Sequence, residues 1–254
     1  MKTKNILGID VGASGIKGAI VNVETGELVT ERIKLVTPKP ATPEAVTEVI
    51  AELTRQSGYE GNLLGCGFPA IIHHGVAKSA ANIDPSWIQT NVEAMISEAT
   101  GMKVVAVNDA DAAGLAEARY GKGKGRMGTV VLITVGSGLG SALFTDGHLV
   151  RNSEFGHIYL HGMVAEHYIS NTARKKYEMS WTGFGLRFNE YLHHLNRIIS
   201  PDLVIIGGGM SNNWDLFSAH IDVDMEVTTA QMLNNAGIIG AALYAYETEF
   251  GEMS

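Results

Sequence analysis

One arrangement occurs twice in this chain. Residues 5–12 (NILGIDVG) form an apolar run that ends in glycine. Residues 15–23 (GIKGAIVNV) then alternate small and apolar side chains up to the turn Thr25-Gly26-Glu27. Residues 129–147 (TVVLITVGSGLGSALFTDG) repeat the order of apolar run, glycines, small-residue run and acidic-glycine turn. Short apolar runs bounded by glycine read as buried strands, so each passage predicts a pair of antiparallel strands closed by a glycine turn. Two such pairs about half a chain apart point to a duplicated fold. Glycine hairpins are common, and the alternative on this pattern alone is coincidence.

The remaining pattern places helices between strands. LVTERIKLV predicts a third strand after the first pair. Thr42 before Pro43 signals a helix start, since threonine caps free N–H groups and proline suits the first helical position. Val46, Val49, Ile50 and Leu53 then share one face. Further strands are expected at 62–68, at 104–109 (VVAVND) and in PDLVIIGGG. Helices are expected at 91–100, 111–121, 165–180 (AEHYISNTARKKYEMS), 181–200 and in the tail LNNAGIIGAALYAYE. Strands alternating with helices after a meander make an α/β fold with mixed sheets.

Composition limits the function. With 254 residues, 45% hydrophobic and 18% charged, the chain suits one large domain or two compact lobes. A net charge of −8 argues against a nucleic-acid partner. No run nears the ~18 apolar residues of a membrane span, and the N-terminal apolar stretch is too short for a secretion signal. Cys66 is the only cysteine, so neither a disulfide nor a thiolate metal cluster can form within the chain. A cytoplasmic protein is expected.

The glycine turns carry the candidate chemistry. The first sets Asp10 ahead of Gly12, Ser14 and Gly15. Backbone N–H groups without a neighbouring Cβ can approach phosphate oxygens, and a carboxylate beside them can hold magnesium through water. The second, Gly136-Ser137-Gly138-Leu139-Gly140 with Thr134 before it, is followed by a strand, which excludes the dinucleotide fingerprint. Asn108-Asp109 ends an apolar strand, where an aspartate can accept a hydroxyl proton during phosphoryl transfer. Asp109 or Asp111 serving as a helix cap is the equal alternative. Glu154-Phe155-Gly156-His157 mixes donors and acceptors as sugar hydroxyls require, although a solvated turn has the same composition. His157, His161 and His167 could be imagined as metal ligands, but without thiolates and at irregular spacing they read as surface or sugar-contact histidines. The basic groups Lys122, Lys124, Arg126 and Arg174, Lys175, Lys176 either guide a polyanion or are solvated surface. Trp87 and Trp181 are expected at lobe edges, and Cys66 as buried filler in its strand.

Together these motifs resemble the ROK family of bacterial sugar kinases, most closely its polyphosphate glucokinase branch. The likeness runs through GIDVGASGIKGAIV, TPKPATPEAV, GFPA, AANIDPSW, VNDADAAGLAE, TVGSGLGSALFTDG, EFGH, SPDLVIIGGG and NNAGIIGAA. It implies a duplicated two-lobe actin-like ATPase (ribonuclease H-like) fold, with residues 1–108 in one lobe and 109–254 in the other. The C-terminal helix would be free to pack back on the first lobe. It implies a kinase that moves a phosphoryl group from polyphosphate or ATP to the 6-hydroxyl of glucose or a close hexose. Asp109 would be the base, and Asn82, Asn108, Asp109, Glu154, His157 and Glu166 would bind the sugar. Asp10, Gly12, Ser14, Gly15, Lys17, Thr134, Gly136, Ser137, Gly138, Gly208 and Gly209 would hold the donor. Magnesium would sit near Asp10, and a homodimer would follow. The segment after His157 lacks the cysteines of the family's zinc loop, so no zinc is expected. Ala13 replaces a glycine usual in the first turn. ROK repressors carry a DNA-reading helix-turn-helix ahead of this pattern, and the first strand here begins almost at once. The rivals are a kinase for another small metabolite on the same architecture and a non-catalytic sugar sensor.

Overall fold

The computed structural model describes residues 4–81 and 83–251. The chain divides into two compact units, Met1–Ala116 with Asn235–Ser254, and Glu117–Asn234.

In the first unit β1 (Asn5–Val11) pairs antiparallel with β2 (Ile16–Asn22). The expected third strand is instead two short ones, β3 (Glu27–Leu28) and β4 (Ile33–Leu35), both on the edge of β2. Between them the Thr30 hydroxyl takes the Ile20 N–H at 3.1 Å, so a side chain replaces a backbone partner and interrupts the ladder. Helix α1 (Pro43–Gln56) starts as its sequence predicts, with the Thr42 hydroxyl accepting from the Ala45 N–H. Next come β5 (Leu63–Phe68) and a small hairpin of β6 (Ile72–His73) and β7 (Val76–Ala77). Helix α2 (Val92–Thr100), β8 (Lys103–Asn108) and α3 (Asp109–Tyr120) follow. The sheet runs β3-β2-β1-β5-β8, with β5 parallel to both β1 and β8. Trp87 is not at an edge: it is fully buried, 4.6 Å from the Phe68 ring, and its indole N–H donates to the Ala41 carbonyl. Cys66 lies wholly buried in β5.

In the second unit β9 (Thr129–Val135) pairs antiparallel with β10 (Leu139–Thr145), which pairs with β11 (His148–Val150). A small hairpin of β12 (Tyr159–Leu160) and β13 (Met163–Val164) follows. The helix expected over 165–180 is two, α4 (Ala165–Ile169) and α5 (Asn171–Lys176). Ser170 between them is extended and caps α5 by accepting the Ala173 N–H at 3.1 Å, as serine favours. Helix α6 (Trp181–Ile199) buries Phe184, Phe188, Tyr191, Leu192 and Leu195 at helical spacing against β9 and β14 (Leu203–Gly207). The strand β15 (Glu226–Thr229), not foreseen from sequence, adds in parallel to β14. Its half-buried edge position leaves only a weak apolar signal.

The second sheet runs β11-β10-β9-β14-β15, repeating the strand order and directions of the first. Burial along β1 matches that along β9, and β2 matches β10, except at a terminal residue of each pair. The duplication suggested by the glycine pattern is therefore real.

The last helix, α7 (Ala236–Phe250), packs on the first sheet. A Cβ on Gly65 would collide with the Ala241 carbonyl, so glycine is what lets helix and strand backbones approach there. Val107, Ala112 and Ala241 form a shared cluster, which groups the start of α3 with this unit. The division thus differs from lobes of 1–108 and 109–254, because α3 begins without a break at the end of β8.

Candidate active site

Asp10, the penultimate residue of β1, faces Lys17 across the hairpin, and the Lys17 ammonium donates to its Oδ2 at 3.3 Å. A Cβ on Gly237, in the first turn of α7, would sit 2.9 Å from the Asp10 carboxyl carbon, so glycine there gives this carboxylate its room. The turn beyond closes with the Gly12 N–H donating to the Gly15 carbonyl at 3.2 Å. The Thr37 hydroxyl fixes it by donating to the Gly12 carbonyl at 2.6 Å. Ala13 and Ser14 stand exposed at its tip, and Gly15 is buried.

Asn108 is the last residue of β8, at the same end of the sheet as Asp10, since β1, β5 and β8 run parallel. Carboxyl ends of parallel strands are where α/β sheets present ligand-binding groups. The Asn108 amide donates to the Ala70 carbonyl at 3.1 Å. Its carbonyl oxygen accepts from the N–H groups of Ala110 at 2.9 Å and Asp111 at 3.1 Å. Asn108 therefore caps α3. Asp109 is left as the first helical residue, half-buried, with its Oδ1 2.9 Å from the Ala110 N–H. Asn82 lies outside the described residues.

In the second unit Thr134 pairs with Gly140 across the hairpin and with Gly207 on the parallel strand. The turns Gly136–Gly138 and Gly208–Gly209 therefore leave adjacent strands at one end of the sheet. The Gly136 N–H donates to the Gly138 carbonyl at 3.0 Å, and Ser137 is exposed. The Glu166 carboxylate accepts the Leu139 N–H at 3.2 Å, and the Asn171 N–H donates to the Gly136 carbonyl at 2.9 Å. Helices α4 and α5 thus hold both ends of the turn.

Glu154 accepts a hydrogen bond from His157 Nδ1, or donates one if protonated, at 3.0 Å. The Ser141 hydroxyl anchors this segment by donating to the Ser153 carbonyl at 2.6 Å and accepting the Phe155 N–H at 2.9 Å. Burial is the main cause that raises the Glu154 pKa. The neighbouring Glu166 charge adds to the shift, and His157 opposes it. His161 is directed elsewhere, 2.5 Å from Glu190, and His167 is largely exposed.

A cavity of about 460 Å³ opens beside the second turn, lined by Gly136, Ser137, Gly209, Arg174, Lys175 and Trp181 among others. Trp181 thus sits at a cavity, where sequence placed it at an edge. The basic groups divide here. Arg174 and Lys175 reach the cavity, whereas Arg126 pairs with Glu226 on the surface. Asn171, in the same lining, carried no sequence signal because its role is through the backbone.

Among the described residues no group of three or more histidine, cysteine, aspartate or glutamate side chains could hold a metal. A single carboxylate such as Asp10 still suits magnesium, which keeps several waters and is bound through one or two carboxylates with substrate phosphates.

The ROK family model matches residues 6–173. A polyphosphate glucokinase of Mycobacterium tuberculosis is 45% identical over 237 residues, covering 93% of this chain and 89% of the relative. The solved inorganic polyphosphate/ATP-glucomannokinase of Arthrobacter sp. strain KM superposes with a TM-score of 0.93 at 42% identity, covering 97% of this chain and all of that one. A ROK family glucokinase from Streptomyces griseus, at 23% identity and a TM-score of 0.83, shares the fold over 96% of this chain and 99% of its own. The duplicated sheets are those of the actin-like ATPase fold, and the chain belongs to the ROK family.

Proposed function

We propose that this protein is a sugar kinase that transfers a phosphoryl group from polyphosphate or ATP to the 6-hydroxyl of glucose. The observation that carries the reading is the bond between Glu166 and Leu139. It holds an acceptor suited to sugar hydroxyls against a backbone turn suited to phosphate, within one unit. The polyphosphate glucokinase relative and the polyphosphate/ATP-glucomannokinase neighbour support the donor and sugar classes.

Asp109 is the proposed base. With Asn108 doing the capping, its carboxylate takes the proton of the 6-hydroxyl as that oxygen attacks the terminal phosphorus. The phosphorus–oxygen bond to the rest of the donor breaks, and the shortened donor leaves as the anion. Asn82, Asn108, Glu154, His157 and Glu166 orient the sugar. Backbone N–H groups of the Gly12–Gly15, Gly136–Gly138 and Gly208–Gly209 turns, with Ser14, Lys17, Thr134 and Ser137, hold the donor phosphates. Magnesium near Asp10 would neutralise phosphate charge. No helix among the described residues is long and apolar enough to cross a membrane, and a cytoplasmic homodimer without structural zinc completes the proposal.

The test is glucose 6-phosphate formation with ATP and with polyphosphate at equal magnesium, with mannose run beside glucose. Turnover that chelation abolishes and magnesium restores is expected. Glucose binding without turnover on either donor would favour a sensor. Turnover on another metabolite but neither hexose would favour the rival kinase.

A further inference from the structure

The cavity beside the second glycine turn has a chemistry of its own. No carboxylate is among its lining residues, while Arg174 and Lys175 both are. The Arg174 guanidinium lies 4.4 Å from the centre of the Trp181 ring, and its Nη1 donates to the Met179 carbonyl at 3.2 Å. The group is thus held in place before any ligand arrives. Its Nε–H is shielded from solvent and has no hydrogen-bond partner among the described residues. What an anion entering the cavity meets is the charge of this fixed guanidinium together with the exposed Lys175 ammonium. One face of the Trp181 indole is covered by the guanidinium and so is not open to stack a base. The fittest occupant is a chain of phosphates and not a base.

Resting on the donor reading above, we infer that Arg174 and Lys175 are specificity-determining residues that favour a long phosphate chain over a nucleoside triphosphate. They bind phosphates beyond those held at the Gly136–Gly138 turn. The other basic loop is less suited to this role, because Arg126 is paired with Glu226. Each added phosphate brings charge and acceptor oxygens, so affinity rises with chain length until the two cations are satisfied.

The experiment measures KM for ATP, tripolyphosphate and longer polyphosphates, with saturating glucose, in wild type, Lys175→Ala, Arg174→Lys and Arg174→Ala. Lys175 is exposed, so its truncation tests the inference even if Arg174→Ala fails to fold. Wild-type KM should fall with chain length. Each alanine variant should raise KM for long polyphosphate about tenfold and flatten that trend, as expected for loss of a charge-assisted contact. KM for ATP should move less than about threefold. Arg174→Lys should fall between, because it keeps charge but loses the planar fork. Equal shifts for both donors, or none, overturn the inference while the kinase reading stands. A wild type that uses ATP but no polyphosphate also overturns it. A wild type inactive on glucose with every donor removes the kinase reading itself.

Discussion

The Glu166 carboxylate accepts the Leu139 N–H at 3.2 Å, and so joins helix α4 to the glycine turn at the start of β10. The Asn171 N–H does the same from α5 to Gly136 on the other side of that turn. A residue proposed to meet the sugar therefore also shapes the loop proposed to meet the donor. The two sites share a support.

Glu166→Ala should consequently weaken donor binding even when no sugar is present. The Leu139 N–H loses its charged acceptor, a loss of about 1 kcal/mol, or roughly fivefold in affinity. Calorimetric titration with polyphosphate or ATP, without glucose, reads this directly. A variant that changes only the glucose KM would show that the bond to Leu139 is incidental.

Asp109→Asn should leave glucose binding and the melting temperature near wild type and lower kcat by about 10²–10⁴. Asn108 supplies the cap of α3, so the helix start does not depend on the Asp109 charge. Turnover within a fewfold of wild type would remove Asp109 from the reaction.

Sequence showed most of this because the duplicated hairpins are dense in apolar residues and their turns demand glycine. The strand ends that carry Asp10, Asn108 and Thr134 follow from the same runs. Where it failed, a local side chain competed with the backbone pattern: Thr30 splits the expected third strand, and Ser170 splits the expected helix over 165–180. Whether Asn108, Asp109 or Asp111 caps α3 depends on side-chain direction, which spacing does not carry. Of the cavity, sequence showed the turn residues Gly136, Ser137 and Gly209 and the basic residues Arg174 and Lys175 as separate signals, and only packing brings these together with Trp181.

Glu117 should be a stability residue and not a functional one. It is 1% exposed. Its carboxylate accepts the N–H groups of Gln231 and Met232 through Oε1 and that of Lys122 through Oε2. It thereby ties the beginning of the second unit to its end. Glu117→Ala strands several backbone donors and should cost about 3 kcal/mol or more, from ~1–3 kcal/mol per group left without a partner. Denaturant melts check it. A variant as stable as wild type would mean that water replaces the carboxylate freely.

Glu154 should give the protein a pH dependence in which binding and stability run in opposite directions. Burial, the largest cause, disfavours its ionised form, the Glu166 charge adds to this, and His157 opposes both. Its folded pKa therefore lies above its unfolded one. An acid raised in this way binds protons more readily when folded. It lowers stability at pH values above the folded pKa, and that penalty disappears as the pH falls through it. The ionised carboxylate is nonetheless the better acceptor for sugar hydroxyls, so glucose affinity should fall over the same window as the proton is taken up. Asp109→Asn protein, which lacks the proposed base, isolates the effect: glucose binding to it should retain an acid limb above the ordinary glutamate range. Adding Glu154→Gln should flatten that limb and raise the melting temperature at neutral pH, with no gain well below the carboxylate range. A limb that persists in the double variant would assign the titration to another group.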